Sequence, residues 1–185
     1  MNKKSFFICA LVAVLGLNQS GNSQTNLVDT QLIKAIFDGD IAKRINAGQQ
    51  IVYADKPSGA TQKLKEKIMN DKTLKIALTN EERRFIIDAL DSIGNYSWPD
   101  NLFNNSKRIN NKDVFATAAW VDDGRNKQRR FVYVFSKPIY IRNNSVALIS
   151  YARICGGECG STETAFYKRV DGIWVVDIII SGGDF

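Results

Sequence analysis

Cys155 and Cys159 are separated by Gly156-Gly157-Glu158, and the segments on either side, 145–155 and 159–169, read as strands. A three-residue turn there sets Cys155 opposite Cys159. Directly opposed strand residues lie about 4.5–5.5 Å apart at Cα, inside the separation that a disulfide needs. Closing so small a ring is worth about 2 kcal/mol by the loop-entropy relation, so its expected role is to staple a glycine-rich turn that would otherwise fray. The alternative chemistry is a redox pair, since a small ring is reduced more easily than a long-range bridge. A reactive thiolate needs a helix N-terminus or a basic partner, and the strand offers only Arg153, two residues away.

The same pairing sets Arg153 opposite Ser161 and Tyr151 opposite Glu163. Tyr151, Arg153 and Glu163 then share one sheet face beside the disulfide, where they could bind a polar ligand or serve acid–base chemistry. The plainer reading is a cross-strand charge pair on a solvated face. Asp177 lies inside the apolar run Ile173 to Ile180. A carboxylate without a partner there is costly or has a raised pKa, which makes Asp177 the best single candidate for a general acid or base. Lys168, diagonally across on the same face, could neutralise it.

Trp98, in a polar segment, is a candidate contact for a sugar ring, whereas Trp120 and Trp174 lie in candidate strands and read as core. Arg125, Lys127, Arg129 and Arg130 follow Asp122-Asp123 and read as a solvated turn; an acidic polymer or a lipid headgroup surface is the alternative partner. That run lacks the later acidic ligands of a calcium loop. The chain has no histidine, which excludes Ser-His-Asp and Cys-His catalysis, histidine metal sites and histidine pH switches. With two cysteines after residue 23, a structural zinc site is not expected, and no cofactor is called for.

The elements that must position these residues follow an α+β layout, with N-terminal helices packed on a C-terminal antiparallel β-meander. Residues 27–94 read as helical, 95–112 as an asparagine-rich loop, and 113–181 as strands and tight turns. Val28, Leu32, Ile36 and Phe37 recur at helical spacing, as do Leu64 and Ile68, while Asp38-Gly39-Asp40 and Lys56-Pro57-Ser58-Gly59 interrupt, and Ile51 to Ala54 reads as a short strand. Thr79 can cap a helix that Glu82 answers three residues on, and Phe85, Ile86, Ala89, Leu90 and Ile93 form its apolar stripe. Strands are expected near 113–121, 129–136, 138–142, 145–155, 159–169 and 173–181. Their connections are Asp123-Gly124, Asn143-Asn144, Gly156-Gly157-Glu158 and Asp171-Gly172. Pro138 cannot donate to a ladder, so the chain must bend or change partner between Phe135 and Ile139.

With an Asp171-Gly172 turn, Val170 faces Ile173, Lys168 faces Val175 and Phe166 faces Asp177. One face then carries Leu148, Ala152, Phe166, Val175, Asp177 and Ile179. The other carries Ile149, Tyr151, Tyr167, Trp174, Val176, Ile178 and Ile180, and both are apolar enough near the C-terminus to need cover.

At the N-terminus, Lys3 and Lys4 precede an apolar stretch from Phe6 to Leu17, and Gly21-Asn22-Ser23 offers small residues for a cleavage site before Gln24. Twelve residues cover roughly 18 Å of helix, short of the ~30 Å that a membrane span needs. Residues 1–23 therefore read as a signal peptide and 24–185 as one α+β domain without a transmembrane segment, periplasmic or secreted. Without Lys3 and Lys4, basic residues outnumber the 19 acidic ones by only about four, too few to argue nucleic-acid binding.

Phe135-Ser136-Lys137-Pro138-Ile139, the Cys155-to-Gly160 turn and Asp171-Gly172-Ile173-Trp174 together resemble a C-terminal pattern of uncharacterised secreted bacterial proteins, over roughly 131–180. The resemblance implies that the two-cysteine hairpin is a standing design and brings no catalytic residue with it. More distantly, helices followed by a meander ending in a Gly-x-Trp-x-Val strand resemble the nuclear-transport-factor-like α+β cone. The expected function is a non-catalytic binding module for a small molecule, glycan or protein. The alternatives are a hydrolase or isomerase using Asp177 or Glu163, and a periplasmic thiol–disulfide protein.

Overall fold

The computed structural model describes residues 29–36, 48–57, 62–70, 74–118, 120–122 and 127–185. The signal-peptide and cleavage-site readings, Val28, Phe37, Asp38-Gly39-Asp40, Ser58-Gly59, the 123–126 turn, and the side chains of Trp120, Lys127 and Arg129 lie outside them.

Helices precede a predominantly antiparallel sheet, as the α+β reading requires. Helix α1 covers residues 29–36, α2 Gln62–Asn70 and α3 Asn80–Ser92, which runs into a 3-10 turn at Ile93–Asn95. The strands are β1 (Ile51–Ala54), β2 (Ser106–Ile109), β3 (Trp120–Asp122), β4 (Lys127–Arg129), β5 (Val132–Phe135), β6 (Ile139–Ile141), β7 (Val146–Ile154), β8 (Gly160–Val170) and β9 (Ile173–Asp184). Among the described residues, seven of them form one sheet in the order β2-β1-β5-β7-β8-β9, with β6 also on β7, while β3 and β4 pair separately.

The sheet is mixed, which corrects the purely antiparallel expectation. Strand β1 runs parallel to both β2 and β5. All four of its residues are buried, and a continuous apolar run is the signature of a strand covered on both faces. Strand β2 lies in the segment read as loop because Ser106, Lys107 and Arg108 suit a sheet edge and leave no apolar alternation to detect. Residues 114–117, read as strand, instead form the short helix α4 (Val114–Thr117). It follows a 3-10 turn that the Asn110 side chain caps by accepting from Lys112 N–H at 3.1 Å.

The capping box at Thr79 is present: Glu82 N–H donates to Thr79 Oγ1 at 3.1 Å and Thr79 N–H to Glu82 Oε2 at 2.9 Å. Ile86, Leu90 and Ile93 then turn inward to meet Leu64 and Ile68 of α2 over Leu148, Ile139 and Phe166. The opposite sheet face, built from Tyr53, Tyr133, Phe135, Ile149 and Tyr167, is covered by Leu32 and Ile33 of α1 and by Trp98 and Phe103.

The Asp171-Gly172 turn and the Val170–Ile173 pair form as expected, with both turn residues at positive φ. Two bulges then shift β8 against β9 between Phe166/Tyr167 and Thr164/Ala165. Phe166 consequently faces Ile178 instead of Asp177. Ile178 and Ile180 join the Leu148–Phe166 cluster, the face opposite to the expected one. Each extra residue in a strand reverses the side-chain alternation beyond it, so a two-residue periodicity cannot place them. Because β9 is the outermost strand, cover reaches only part of it: Trp174 and Ile180 are buried, while Ile173, Val175, Val176 and Ile179 remain exposed.

Cys155 and Cys159 form the expected disulfide, with Cα atoms 5.1 Å apart, and Cys155 N–H donates to the Cys159 carbonyl at 2.9 Å. Replacing both by Ser should lower stability by about 2 kcal/mol, several degrees in Tm for a domain of this size. Differential scanning calorimetry checks this, and an unchanged Tm would remove the staple from the account.

Candidate functional site

Asp177 sits at the first β9 bulge, where its Oδ1 lies 2.6 Å from Lys168 Nζ. The diagonal lysine therefore neutralises it as the strand pattern allowed, in spite of the shifted register. The carboxylate is already paired.

Tyr151 and Glu163 face each other across β7 and β8, and Arg153 faces Ser161. Glu163 gathers two phenols: Tyr167 Oη donates to Oε1 at 3.2 Å, and Tyr151 is held by a hydrogen bond to the same carboxylate. Burial first, and then the Glu163 charge, push the Tyr151 hydroxyl up to about 12. The same two causes raise Tyr167. Both phenols stay protonated as donors, so Glu163 would have to release them before acting as a base. The Arg153 guanidinium lies 5.2 Å from the centre of the Phe131 ring. Three of the four ligand-binding candidates thus lie close together.

Trp98 does not join them, which corrects its reading as a surface contact. It is buried, and its Nε1–H donates to the Phe135 carbonyl at 3.1 Å. Its ring packs edge-on against Tyr96 and Phe135. The loop around it is pinned to the end of β1: Trp98 N–H donates to the Asp55 carbonyl at 2.8 Å and Tyr53 Oη to the Pro99 carbonyl at 2.6 Å. Tyr96, Trp98, Leu102 and Phe103 within an asparagine-rich segment were themselves a signal of burial.

A site that the sequence reading missed lies where α3 and its 3-10 turn pass β6. A cleft of about 510 Å³ opens there, walled by Phe85, Ile93, Pro138 and Ile139, with Tyr96, Lys137 and Tyr140 among its polar groups. Its existence follows from two local features. Ser136 to Pro138 separate β5 from β6, so the sheet breaks where Pro138 was expected to bend the chain. Phe85, at the margin of the α3 stripe, stays 54% exposed while Ile86 beside it is sealed. The far end is tied down by Arg142, which donates to both Glu82 carboxylate oxygens at 2.8 and 3.0 Å and to the Ala77 carbonyl at 2.6 Å. That guanidinium also holds the Glu82 carboxyl below its ordinary range.

The polar groups of the cleft are coupled to α1. Tyr140 Oη donates to Asp29 Oδ1 at 2.8 Å. Asp29 is 1% exposed, and among the described residues its Oδ2 has no hydrogen-bond partner. Burial raises the Asp29 pKa, opposed by the Tyr140 hydrogen bond and by the Lys137 charge. Burial and then the Asp29 charge push Tyr96 up to about 12 and raise Tyr140 as well. The Lys137 ammonium lies 4.9 Å from the centre of the Tyr96 ring.

Among the described residues, no three His, Cys, Asp or Glu side chains are arranged to hold a metal, and no helix is long and apolar enough to cross a membrane. No family model, curated protein or solved structure matches the chain, so the chemistry of the cleft stands on its own residues.

The raised Asp29 pKa makes a signed prediction. The folded chain holds this proton more tightly than the unfolded chain does. The stabilising contribution is complete below the unfolded value of about 3.9 and is lost as pH rises through the folded value. Asp29→Asn keeps an oxygen for Tyr140 and removes the ionisation. Its Tm relative to the parent should therefore rise between about pH 4 and pH 7; a difference that is flat or falls with pH would contradict the buried-carboxyl assignment.

Proposed function

We propose that the chain is an exported, non-catalytic binding module that takes a small ligand in the cleft between α3 and β6. The observation that carries this reading is that the exposed Phe85 ring and Lys137 line one concavity of about 510 Å³. Small-ligand sites of roughly 300–1,000 Å³ combine such apolar walls with a few polar groups. Binding is favoured over carboxylate catalysis because Asp177 and Glu163 are already engaged, by Lys168 and by two phenols. The thiol–disulfide reading rests on the cysteine pair alone, and Cys155 is buried. Export is supported by the basic and apolar N-terminal segments before Gln24, by the disulfide, and by the likeness of residues 131–180 to secreted bacterial proteins.

An environment-sensitive naphthalenesulfonate dye tests the location. It should bind the folded protein at one site, and Phe85→Ser should weaken it by about tenfold, the loss expected when one large apolar contact is removed. Ile179→Ser, on the exposed β9 edge, should leave binding unchanged. Both variants should stay within about 0.5 kcal/mol of the parent stability, since both side chains are exposed. Loss of dye from Ile179→Ser with retention by Phe85→Ser would place the site elsewhere.

A further inference from the structure

The charge and hydrogen-bonding state of the cleft narrow its ligand class, and this step rests on the binding reading above. Among the described residues, Lys137 is the single charged side chain that lines the cleft. Its ammonium faces the Tyr96 ring, and among the described residues no carboxylate lies within ion-pairing distance of it. Asn95 and Asn144 also line the cleft. The rest of the lining is largely apolar: Phe85, Ala89 and Ile93 from α3 and its 3-10 turn, and Pro138 and Ile139 next to Lys137.

We infer that the cleft takes an anionic amphiphile, a carboxylate on an unbranched apolar chain, with the carboxylate on Lys137 and the chain along Phe85 and Ile93. An ammonium held against a ring face keeps most of its donors directed elsewhere, and a charged hydrogen bond to a carboxylate is stronger than one to a neutral head. The Asn95 amide, next to the Tyr96 ring that Lys137 faces, can donate to the same oxygens. A cationic head would meet Lys137 at close range with no carboxylate among the described lining residues to offset it. The Lys137 charge reaches the Asp29 carboxyl, which burial holds toward its neutral form behind the Tyr140 hydroxyl.

The test is competition with the naphthalenesulfonate dye and direct calorimetry, using octanoate, octan-1-ol and octylammonium, three probes with one chain and different heads. Octanoate should bind at least tenfold more tightly than either of the others. Each methylene added to the carboxylate should tighten binding roughly fourfold, the factor given by about 0.8 kcal/mol per buried CH₂. Lys137→Met should abolish the preference for octanoate while octan-1-ol binding is kept, and Lys137→Arg should restore it. If octan-1-ol or octylammonium competes as well as octanoate, or if Lys137→Met keeps the preference, the ligand class is wrong although the cleft remains a binding site. If none of the three displaces the dye, or if their heats are insensitive to Phe85→Ser, the cleft reading falls with it.

Discussion

Backbone pairing to β7 is the constraint from which the rest of the sheet takes its position. All nine of its residues pair with β8, while its other edge is shared: β5 takes Tyr151 to Ile154 and β6 takes Val146 to Leu148. The seam between those two short strands falls at Ser150. Ser136 N–H donates to the Ser150 carbonyl at 2.7 Å, and Ser150 N–H donates to the Ser136 hydroxyl at 2.9 Å. The buried Ser136 side-chain oxygen thus stands in for a ladder acceptor and satisfies the partly buried Ser150 amide. Pro138, two residues on, has no N–H to satisfy.

That seam turns a sheet into a site. Because β6 is offset from β5, the chain from Ser136 to Pro138 leaves the ladder, and Lys137 and Pro138 line the cleft facing α3. Helix α3 is held in register by its capping box and by Arg142, whose two bonds to Glu82 join the helix start to the β6–β7 turn. The pair contributes little as a stabiliser; its value is geometric, since it ties the start of α3 to the turn that carries Asn144. On the other sheet face, α1 brings Asp29 to Tyr140, so one strand connects a buried carboxyl with an open concavity.

What could be read in advance was local. Thr79 with Glu82, Asp171-Gly172 and the opposed cysteines each declare themselves within a few residues, and Tyr151 opposite Glu163 follows once the turn between the cysteines is placed. Pairings between distant segments left no such mark. Strand β1 joins β2 and β5 across more than fifty and about eighty residues, and nothing near Ile51 specifies either partner. The β9 bulges are silent because Val175 to Ile180, Asp177 apart, is apolar throughout, so the alternation that sets register is missing. Trp98 and Phe85 exchanged their expected places for one reason. A loop aromatic is buried when the loop is pinned over the core, and a helix-stripe aromatic is exposed when the sheet beneath it ends.

The central claim is that the break between β5 and β6 creates a ligand site against α3. The most direct measurement is a set of intermolecular nuclear Overhauser effects between bound octanoate and the protein. The account predicts contacts from the chain methylenes to the Phe85 ring and the Ile93 methyls, and from the carboxyl end to the Lys137 side chain. Contacts confined to Ile173, Val176 and Ile179 of the exposed β9 edge would contradict it.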